Sequence, residues 1–226
     1  MEIESLRVGQ LETNCYLVFC PKTKEAVIID PGDAGDFISQ KILDLKLKPK
    51  LILATHGHFD HILAVTELKL AFNIPFLMHK DDLFLLKRVK RTAEYFLGYP
   101  ADLPPVVDRY LTEGESIMFG KEKLKVIETP GHTPGGICLY SSTSHLRGGV
   151  APAAHLGGEG NGGILFSGDT LFCQGVGRTD FSYCSYKDLM KSLQKLFKLP
   201  GKTVVYPGHG SETNLVAEQS FFRKVA

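Results

Sequence analysis

The amino-acid sequence predicts a layered α/β fold in one domain that spans residues 1–226. Of these residues, 43% are hydrophobic and 23% are charged, an ordinary composition for a globular chain with a sizeable core. Short, apolar, β-rich segments alternate with segments whose apolar residues recur at helical spacing. Both halves run strands first and helices afterwards, and this order favours packed layers of sheet and helix.

The first half of the chain predicts strands and helices in alternation. The apolar run LILAT at 51–55 predicts a buried strand, and PGDAG at 31–35 has the composition of a turn. The predicted elements are, in order, strands at 15–19 and 25–30, a helix at 37–48, a strand at 51–55, a helix at 62–72, a strand at 74–78 and a helix at 82–97.

From about residue 110 the chain predicts more strands than helices. The predicted elements are, in order, strands at 116–120, 123–129, 136–141 and 164–166, a helix at 185–199, a strand and loop at 203–210 and a helix at 215–222. The stretch 143–163 contains seven glycines and little that a core could bury. We expect a long surface loop there, inserted between two strands, with His145 and His155 in solvent; a functional lid is the alternative.

Bulk properties argue against several classes of protein. The net charge is +1, so neither a nucleic-acid partner nor a strongly acidic surface is indicated. The five cysteines form no C-x-x-C pair, which favours reduced thiols over a disulfide framework. The start, MEIESLRVGQ, lacks the apolar segment of a signal peptide, and no apolar run approaches the length of a membrane span. We therefore expect a soluble, cytoplasmic protein without membrane contact, and the oligomeric state stays open.

The segment THGHFDH at 55–61 concentrates titratable side chains directly after the predicted buried strand. A buried imidazole is costly unless its ring nitrogens are paired, and a metal ion pairs several imidazoles at once. His56 and His58 point to the same side of an extended segment because side chains alternate along it. Asp60 and His61 follow where the chain turns into the next helix, so they can face a second point. One segment can therefore serve two metal ions.

Three more candidate ligands follow predicted strands. His132 lies in the turn TPGHTPG, Asp169 lies in LFSGDT, and His209 lies in YPGHG. The combined set of five histidines and two aspartates suits two Zn²⁺ or similar first-row ions. One ion would take three histidines, the other would take two histidines and an aspartate, and the remaining aspartate would bridge them. Open positions are left for water, as a catalytic site requires.

These motifs resemble those of a known family. THGHFDH, PGHTPG, SGDTLF, GVGRTDF and YPGHG occur in the order and contexts of the metallo-β-lactamase superfamily. The resemblance extends over nearly the whole chain, from TNCYLV to YPGHG. The branch that looks most similar is that of the glyoxalase II-like hydrolases, also called hydroxyacylglutathione hydrolases. This resemblance implies a four-layer αββα sandwich with the metals at one edge of the two sheets.

The resemblance also implies a role for each candidate ligand. The implied ligands are His56, His58 and His132 for the first ion, Asp60, His61 and His209 for the second, and Asp169 as the bridge. Zinc is the expected metal, and iron or manganese would also suit these ligands. The implied activity is hydrolysis of a small-molecule thioester such as S-lactoylglutathione by attack of a metal-bound hydroxide, and Asp60 could also orient the water.

Two further residues are candidates for substrate contact. Arg178 in GVGRTDF could meet an anionic substrate, although the resemblance implies a buried, structural arginine here. His79 ends a predicted strand, where it could contact substrate, support a metal ligand or simply lie at the surface.

Asp30 and Asp33 flank a turn, and a supporting role behind a ligand is the alternative to turn chemistry. The basic residues at 87–91 are interpreted as a solvated helix face.

The chain departs from the family pattern in ways that leave the substrate open. After GRTDF the family often has proline-glycine-glycine, whereas this chain has SYCS at 182–185. Longer glyoxalase II enzymes have a C-terminal helical region that supplies basic groups for glutathione, and this chain lacks it. The alternatives to a thioester hydrolase are therefore a persulfide dioxygenase-like oxidoreductase with one iron and a metal hydrolase of another ester or phosphoester.

Overall fold

Two mixed β-sheets, each of six strands within the described residues, form the centre of the fold. The computed structural model describes residues 1–98, 104–142 and 162–225. The predicted glycine-rich insertion at 143–163 therefore falls, apart from Gly162 and Gly163, outside the described residues, and so do His145 and His155.

The first sheet has its strands in chain order. They are β1 (Glu2–Val8), β2 (Thr13–Phe19), β3 (Glu25–Ile29), β4 (Lys48–Leu53), β5 (Phe76–His79) and β6 (Arg109–Leu111). β1, β2 and β3 pair antiparallel, whereas β3, β4, β5 and β6 pair parallel. Because parallel neighbours end on the same side, the loops after β3, β4 and β5 share one edge of the sheet.

The second sheet is mostly antiparallel. Its strands are β7 (Ser116–Phe119), β8 (Glu122–Glu128), β9 (Ile137–Ser141), β10 (Ile164–Gly168), β11 (Val204–Pro207) and β12 (Thr213–Asn214). Their order across the sheet is β12-β11-β10-β9-β8-β7. β10 and β11 are parallel neighbours, so the loops that follow them also leave the sheet at a common edge.

Helices cover the outer face of each sheet. The helices are α1 (Gly35–Asp44), α2 (Val65–Phe72), α3 (Leu83–Leu86), α4 (Val89–Leu97), α5 (Tyr186–Leu196) and α6 (Leu215–Val225). The first four pack on the first sheet, and α5 and α6 pack on the second. Between the sheets, Tyr16 of β2 contacts Phe166 of β10 with ring centroids 5.1 Å apart. The predicted αββα sandwich is confirmed.

Some predicted elements differ from the structure. The strands β1, β6 and β12 were not predicted, and the helix predicted at 82–97 is two helices, α3 and α4. At the break, the amide of Arg88 donates to the carbonyl of Leu85, three residues back, at 2.9 Å. The break carries no glycine or proline, so tertiary packing of buried Leu85, Leu86 and Val89 decides it. In the part of the chain that the structure describes, no helix is long and apolar enough to cross a membrane.

Candidate metal centre

The seven predicted ligands lie in loops that leave the shared edge of the two sheets. His56 and His58 follow β4, and Asp60 and His61 lie in the short 3-10 turn Phe59–His61. The remaining three follow strands of the second sheet: His132 after β8, Asp169 directly after β10 and His209 after β11. The structure therefore brings all seven to one place, although they are spread over 154 positions of the chain, from 56 to 209.

The first group consists of His56, His58 and His132. His58 Nδ1 lies 3.0 Å from His56 Nε2 and 3.0 Å from His132 Nε2. Three ring nitrogens thus converge on one point, and one donor atom of each residue lies within 4.8 Å of the others. This convergence of imidazole nitrogens suits a zinc-like ion.

The second group consists of Asp60, His61 and His209. His209 Nε2 lies 3.2 Å from His61 Nε2 and 3.3 Å from Asp60 Oδ2. His61 Nε2 lies 3.8 Å from the same carboxylate oxygen. The donor atoms again lie within 4.8 Å of one another. Two imidazoles and a carboxylate form a ligand set that first-row divalent ions accept.

Asp169 lies between the two groups. Its Oδ2 is 3.5 Å from His132 Nε2 of the first group, and its Oδ1 is 3.4 Å from His61 Nε2 of the second. Oδ1 is buried and accepts no hydrogen bond from the described residues. A buried carboxylate oxygen without a partner is expensive, and a cation bound there would satisfy it. The donor set therefore fits two metal ions with Asp169 as the bridge; the occupancy itself stays a prediction.

Backbone carbonyls orient two of the histidines. His132 Nδ1 lies 2.9 Å from the carbonyl of Arg178, and His209 Nδ1 lies 3.0 Å from the carbonyl of Leu11. In each ring Nδ1 is the nitrogen that faces the carbonyl, so Nε2 is directed at the centre. The turn containing Leu11 belongs to the first sheet and the Arg178 loop to the second half, so both halves of the chain orient ligands.

Asp30 orients His61 from behind. Its Oδ2 lies 3.1 Å from His61 Nδ1, and the Thr55 backbone amide and hydroxyl donate to its two oxygens at 2.7 and 2.6 Å. Asp30 is 1% exposed, so this carboxylate is committed to these partners. The supporting role weighed for Asp30 is thus the one that the structure shows, whereas Asp33 accepts a hydrogen bond from the adjacent Ala34 amide as a turn residue does.

Asp82 ties together the two loops that carry the first group. One oxygen accepts from the Gly57 amide at 2.9 Å and from the Thr133 hydroxyl at 2.7 Å, and the other accepts from the Gly135 amide at 2.6 Å. Gly57 separates His56 from His58, and Thr133 follows His132. Burial raises the pKa of Asp82, while the three donors oppose that shift. Sequence reasoning missed this residue, because nothing local in KDDLF distinguishes it.

Tyr183 was also missed. Its hydroxyl lies 2.9 Å from His58 Nε2, the nitrogen that faces away from the first group. Its ring stacks on Phe181 with centroids 5.4 Å apart. Burial raises the pKa of the Tyr183 phenol to about 12, so the hydroxyl stays neutral at physiological pH. The departure SYCS from the family pattern marked this position, but spacing alone could not indicate its contact with His58.

The end of β11 is held by the first sheet. The Asn14 side-chain amide donates to the carbonyls of Pro207 and Gly210 at 3.0 and 2.9 Å, and the Tyr16 hydroxyl donates to Pro207 at 2.6 Å. These bonds position the loop with His209. A Cβ on Gly208 would overlap Asp169 Oδ1, so glycine is required where this loop passes the bridge.

The two groups differ in their electrostatics. Burial and the neighbouring imidazoles lower the pKa of His56 well below its usual value, and the same causes lower that of His58 to about 3. Burial also disfavours a charged His61, but Asp169, Asp30 and Asp60 outweigh it and raise its pKa to about 10. Without metal, His56 and His58 are therefore neutral at physiological pH, whereas His61 is positively charged.

Carboxylates and imidazoles of the second group stabilise one another's charged forms. Burial opposes ionisation of Asp60, yet His61 and the hydrogen bond from His209 hold its pKa below the usual range. The pKa of His209 is raised against burial by the same bond and by Asp169. This group is consequently an ion-paired cluster in the metal-free protein.

A cavity of about 380 Å³ opens beside the first group. His58, Asp60, His132 and Asp169 line one side of it. The other lining residues are Leu11, Gly57, Phe59, Leu85, Arg88, Val89, Thr92, Phe96, Arg178, Phe181 and Tyr183. The size suits a small organic molecule placed with part of its body against the candidate ligands.

The structure treats the two predicted substrate contacts differently. Arg178 lines the cavity, but the expectation that it is buried is wrong, because its side chain is 53% exposed and pairs with Asp180. His79 does not line this cavity. Its Nε2 lies 3.2 Å from Glu128 Oε1, and its Nδ1 accepts from the Asp81 amide, so the structure offers no support for substrate contact by His79. It is buried, and the surface position considered for it is wrong too.

Comparison with known proteins agrees with the fold. The family described as the metallo-beta-lactamase superfamily matches residues 8–146 and 148–209. This chain belongs to that superfamily. A relative from Haemophilus influenzae, named hydroxyacylglutathione hydrolase GloC, is 33% identical over 222 residues, which cover 97% of this chain and 95% of that protein.

Two solved structures are similar over 96% of this chain and 96% of their own length. The structure described as BLEG-1 B3 metallo-beta-lactamase is 32% identical, with a TM-score of 0.82. The structure of TTHA1623 in a di-iron-bound form is 34% identical, with a TM-score of 0.80. One of these similar structures is thus named for an activity and the other for its metal. Function therefore has to be argued from the residues of the site and not from the fold.

Proposed function

We propose that this protein is a binuclear metal-dependent hydrolase of small-molecule thioesters. The observation that carries the proposal is Asp169, whose two oxygens face two separate groups of three ligands. The relative named hydroxyacylglutathione hydrolase, which matches nearly the whole chain, supports a thioester as the substrate class. Zinc is the proposed metal, and the di-iron neighbour makes iron the alternative.

Two ions held in this way would, when bound, lower the pKa of a shared water and polarise a carbonyl oxygen. Asp60 lines the cavity and stays a carboxylate because its pKa is lowered. It can therefore accept a hydrogen bond from a water in the site and orient that water towards an electrophilic carbon. A thiolate leaves readily, so hydrolysis of a thioester needs little acid catalysis.

Tyr183 can contribute a donor on the opposite side. With His58 Nδ1 directed at the centre, Nε2 carries the proton and donates to the Tyr183 oxygen. The tyrosine proton is then free to point into the cavity, where it can donate to a substrate oxygen or sulfur. The apolar side of the cavity excludes competing water from this contact.

The proposal is tested by hydrolysis of S-D-lactoylglutathione with purified, metal-loaded protein, alongside Asp169→Asn. The variant should lose both turnover and at least one ion per chain, measured by elemental analysis. Asp44→Asn is the matched control, because Asp44 is an exposed aspartate on α1. Full turnover by Asp169→Asn, or two bound ions without turnover of this or other thioesters, would refute the proposal.

Hydrolysis of β-lactams is the second candidate, favoured by the likeness to the B3 enzyme. A chromogenic cephalosporin measured beside the thioester distinguishes the two. The persulfide dioxygenase alternative would instead appear as one iron per chain and oxygen uptake with glutathione persulfide.

A further inference from the structure

We propose that the cavity beside the metal centre selects substrates with an apolar body and a single carboxylate, and that Arg88 binds the carboxylate. This inference rests on the proposed function, because the cavity supplies substrate to the same metal centre. It goes further by naming the chemical class and the residue that recognises it.

One wall of the cavity is apolar. Phe59, Leu85 and Val89 are each at most 5% exposed and form its floor. Phe96 extends this wall outward, with its ring stacked on Phe59 at a centroid distance of 5.7 Å and an interplanar angle of 14°. Such a wall stabilises a ligand through buried apolar area and offers nothing to a polar chain. The ligand body that fits here is therefore aliphatic or aromatic.

Two arginines line the cavity, and only one of them is engaged with an acid among the described residues. Arg178 donates to both oxygens of Asp180 at 2.6 Å and lies over the Phe181 ring at 4.2 Å. Arg88 lies over the Phe84 ring at 5.3 Å, and its guanidinium forms no ion pair within the described part of the chain. Its fork of donors matches a carboxylate in two parallel hydrogen bonds.

The break between α3 and α4 gives Arg88 this position. Three other cations lie within three residues of it, namely Lys87, Lys90 and Arg91. All four side chains are exposed, and Arg88 is the one of the four that lines the cavity. The basic residues interpreted from the sequence as one solvated helix face thus differ in position, because Arg88 lines the cavity and the other three do not. A general attraction for anions would involve all four cations, whereas recognition inside the cavity involves Arg88.

The lining favours a monoanion. One guanidinium without an acidic partner among the described residues compensates one negative charge. A phosphate dianion beside an apolar wall would keep a second charge uncompensated. The carboxylate is therefore the anion that this lining matches.

The inference is tested with two thioethers that contain no thioester bond, 3-(benzylsulfanyl)propanoate and its primary amide. Each is titrated calorimetrically into the metal-loaded protein. We expect the acid to bind about tenfold more tightly than the amide, as a charge-assisted pair at a cavity rim provides. Arg88→Ala should bring the ratio close to one, Arg88→Lys should keep part of it, and Arg91→Ala should leave it unchanged.

Three results would overturn the inference. These are equal dissociation constants for acid and amide in the unmodified protein, an acid preference that persists in Arg88→Ala, and an equal loss in Arg91→Ala. The second result would assign the carboxylate to the metal ions themselves. Because the probes contain no thioester, the outcome does not depend on thioester turnover, and two bound ions without turnover of any thioester refute the proposed function separately.

Discussion

The two ligand groups of the candidate metal centre have similar dimensions but opposite electrostatic character. Burial and neighbouring imidazoles lower the pKa of His56 and His58 in the first group. His61 lies among three carboxylates that raise its pKa to about 10. His56 and His58 are thus already neutral, whereas the second group must give up a proton before it binds metal. Asp30 supports the second group and Asp82 supports the first, so substitution of each residue should affect one group more than the other.

The largest effect is expected from Asp30→Ala. This change leaves His61 Nδ1 and the Thr55 donors without their buried acceptor. We expect a loss of about 3 kcal/mol in the free energy of unfolding, from removal of one partner of a buried pair. The second ion should be lost while the first is retained, as measured by elemental analysis and denaturant unfolding.

Asp33→Ala is the control for this experiment, because Asp33 lies in the same turn and bonds only a neighbouring amide. Equal loss of both ions in Asp30→Ala would contradict the view that Asp30 serves the second group.

Asp82→Ala should act on the first group. The change leaves the Gly57 and Gly135 amides and the Thr133 hydroxyl without an acceptor. We expect a cost of about 2 kcal/mol in unfolding free energy and a ten- to hundredfold lower affinity for the first ion. Metal titration with competing chelators measures both affinities.

The neighbouring Asp81→Ala provides the comparison, since that side chain is 51% exposed. If Asp82→Ala weakened the second ion as much as the first, the clamp would not be specific to the loops of His56, His58 and His132.

Proton release should distinguish the two groups without mutation. A pH of 8 is below the raised pKa of His61, so His61 is positively charged in the metal-free protein. Metal binding to the second group should therefore release about one proton from His61. The same pH is far above the lowered pKa of His58, so His58 is already neutral and should release no proton when metal binds. Calorimetric titration in buffers of different ionisation enthalpy counts the protons. Equal release at both steps would show that the two groups do not differ in charge.

The smallest effect is expected from Tyr183→Phe. The ring stack on Phe181 is kept, and only the hydroxyl that contacts His58 Nε2 is lost. We expect kcat for the thioester to fall about tenfold with metal content and KM nearly unchanged. Tyr186→Phe, on exposed α5, serves as the control. A change in KM alone would assign Tyr183 to substrate binding.

Sequence patterns determined a large part of this protein. Apolar spacing predicted most strands and helices, and residue type with position after a strand predicted all seven candidate ligands. Backbone groups can rarely pair all the imidazole and carboxylate side chains of THGHFDH. A metal site can therefore be predicted here from the sequence alone. Spacing also indicated that one segment serves two centres, and the structure places His56 with His58, and Asp60 with His61, in separate groups.

The tertiary structure alone decided what surrounds the ligands. Asp82 bonds the loops that carry His56, His58 and His132, and Tyr183 contacts His58 itself, both across long sequence separations. No local pattern distinguishes such residues from ordinary surface ones. The difference in protonation between the two groups arises from the carboxylates that packing brings beside His61, because Coulomb interactions depend on distance in space. Likewise, the place of Arg88 at the cavity depends on the packing of its neighbours Leu86 and Val89 in the core of the first sheet. Residue type and spacing indicate the candidate metal ligands. The residues that orient these ligands, and those that give the cavity its selectivity, make contacts that exist only after the chain has folded.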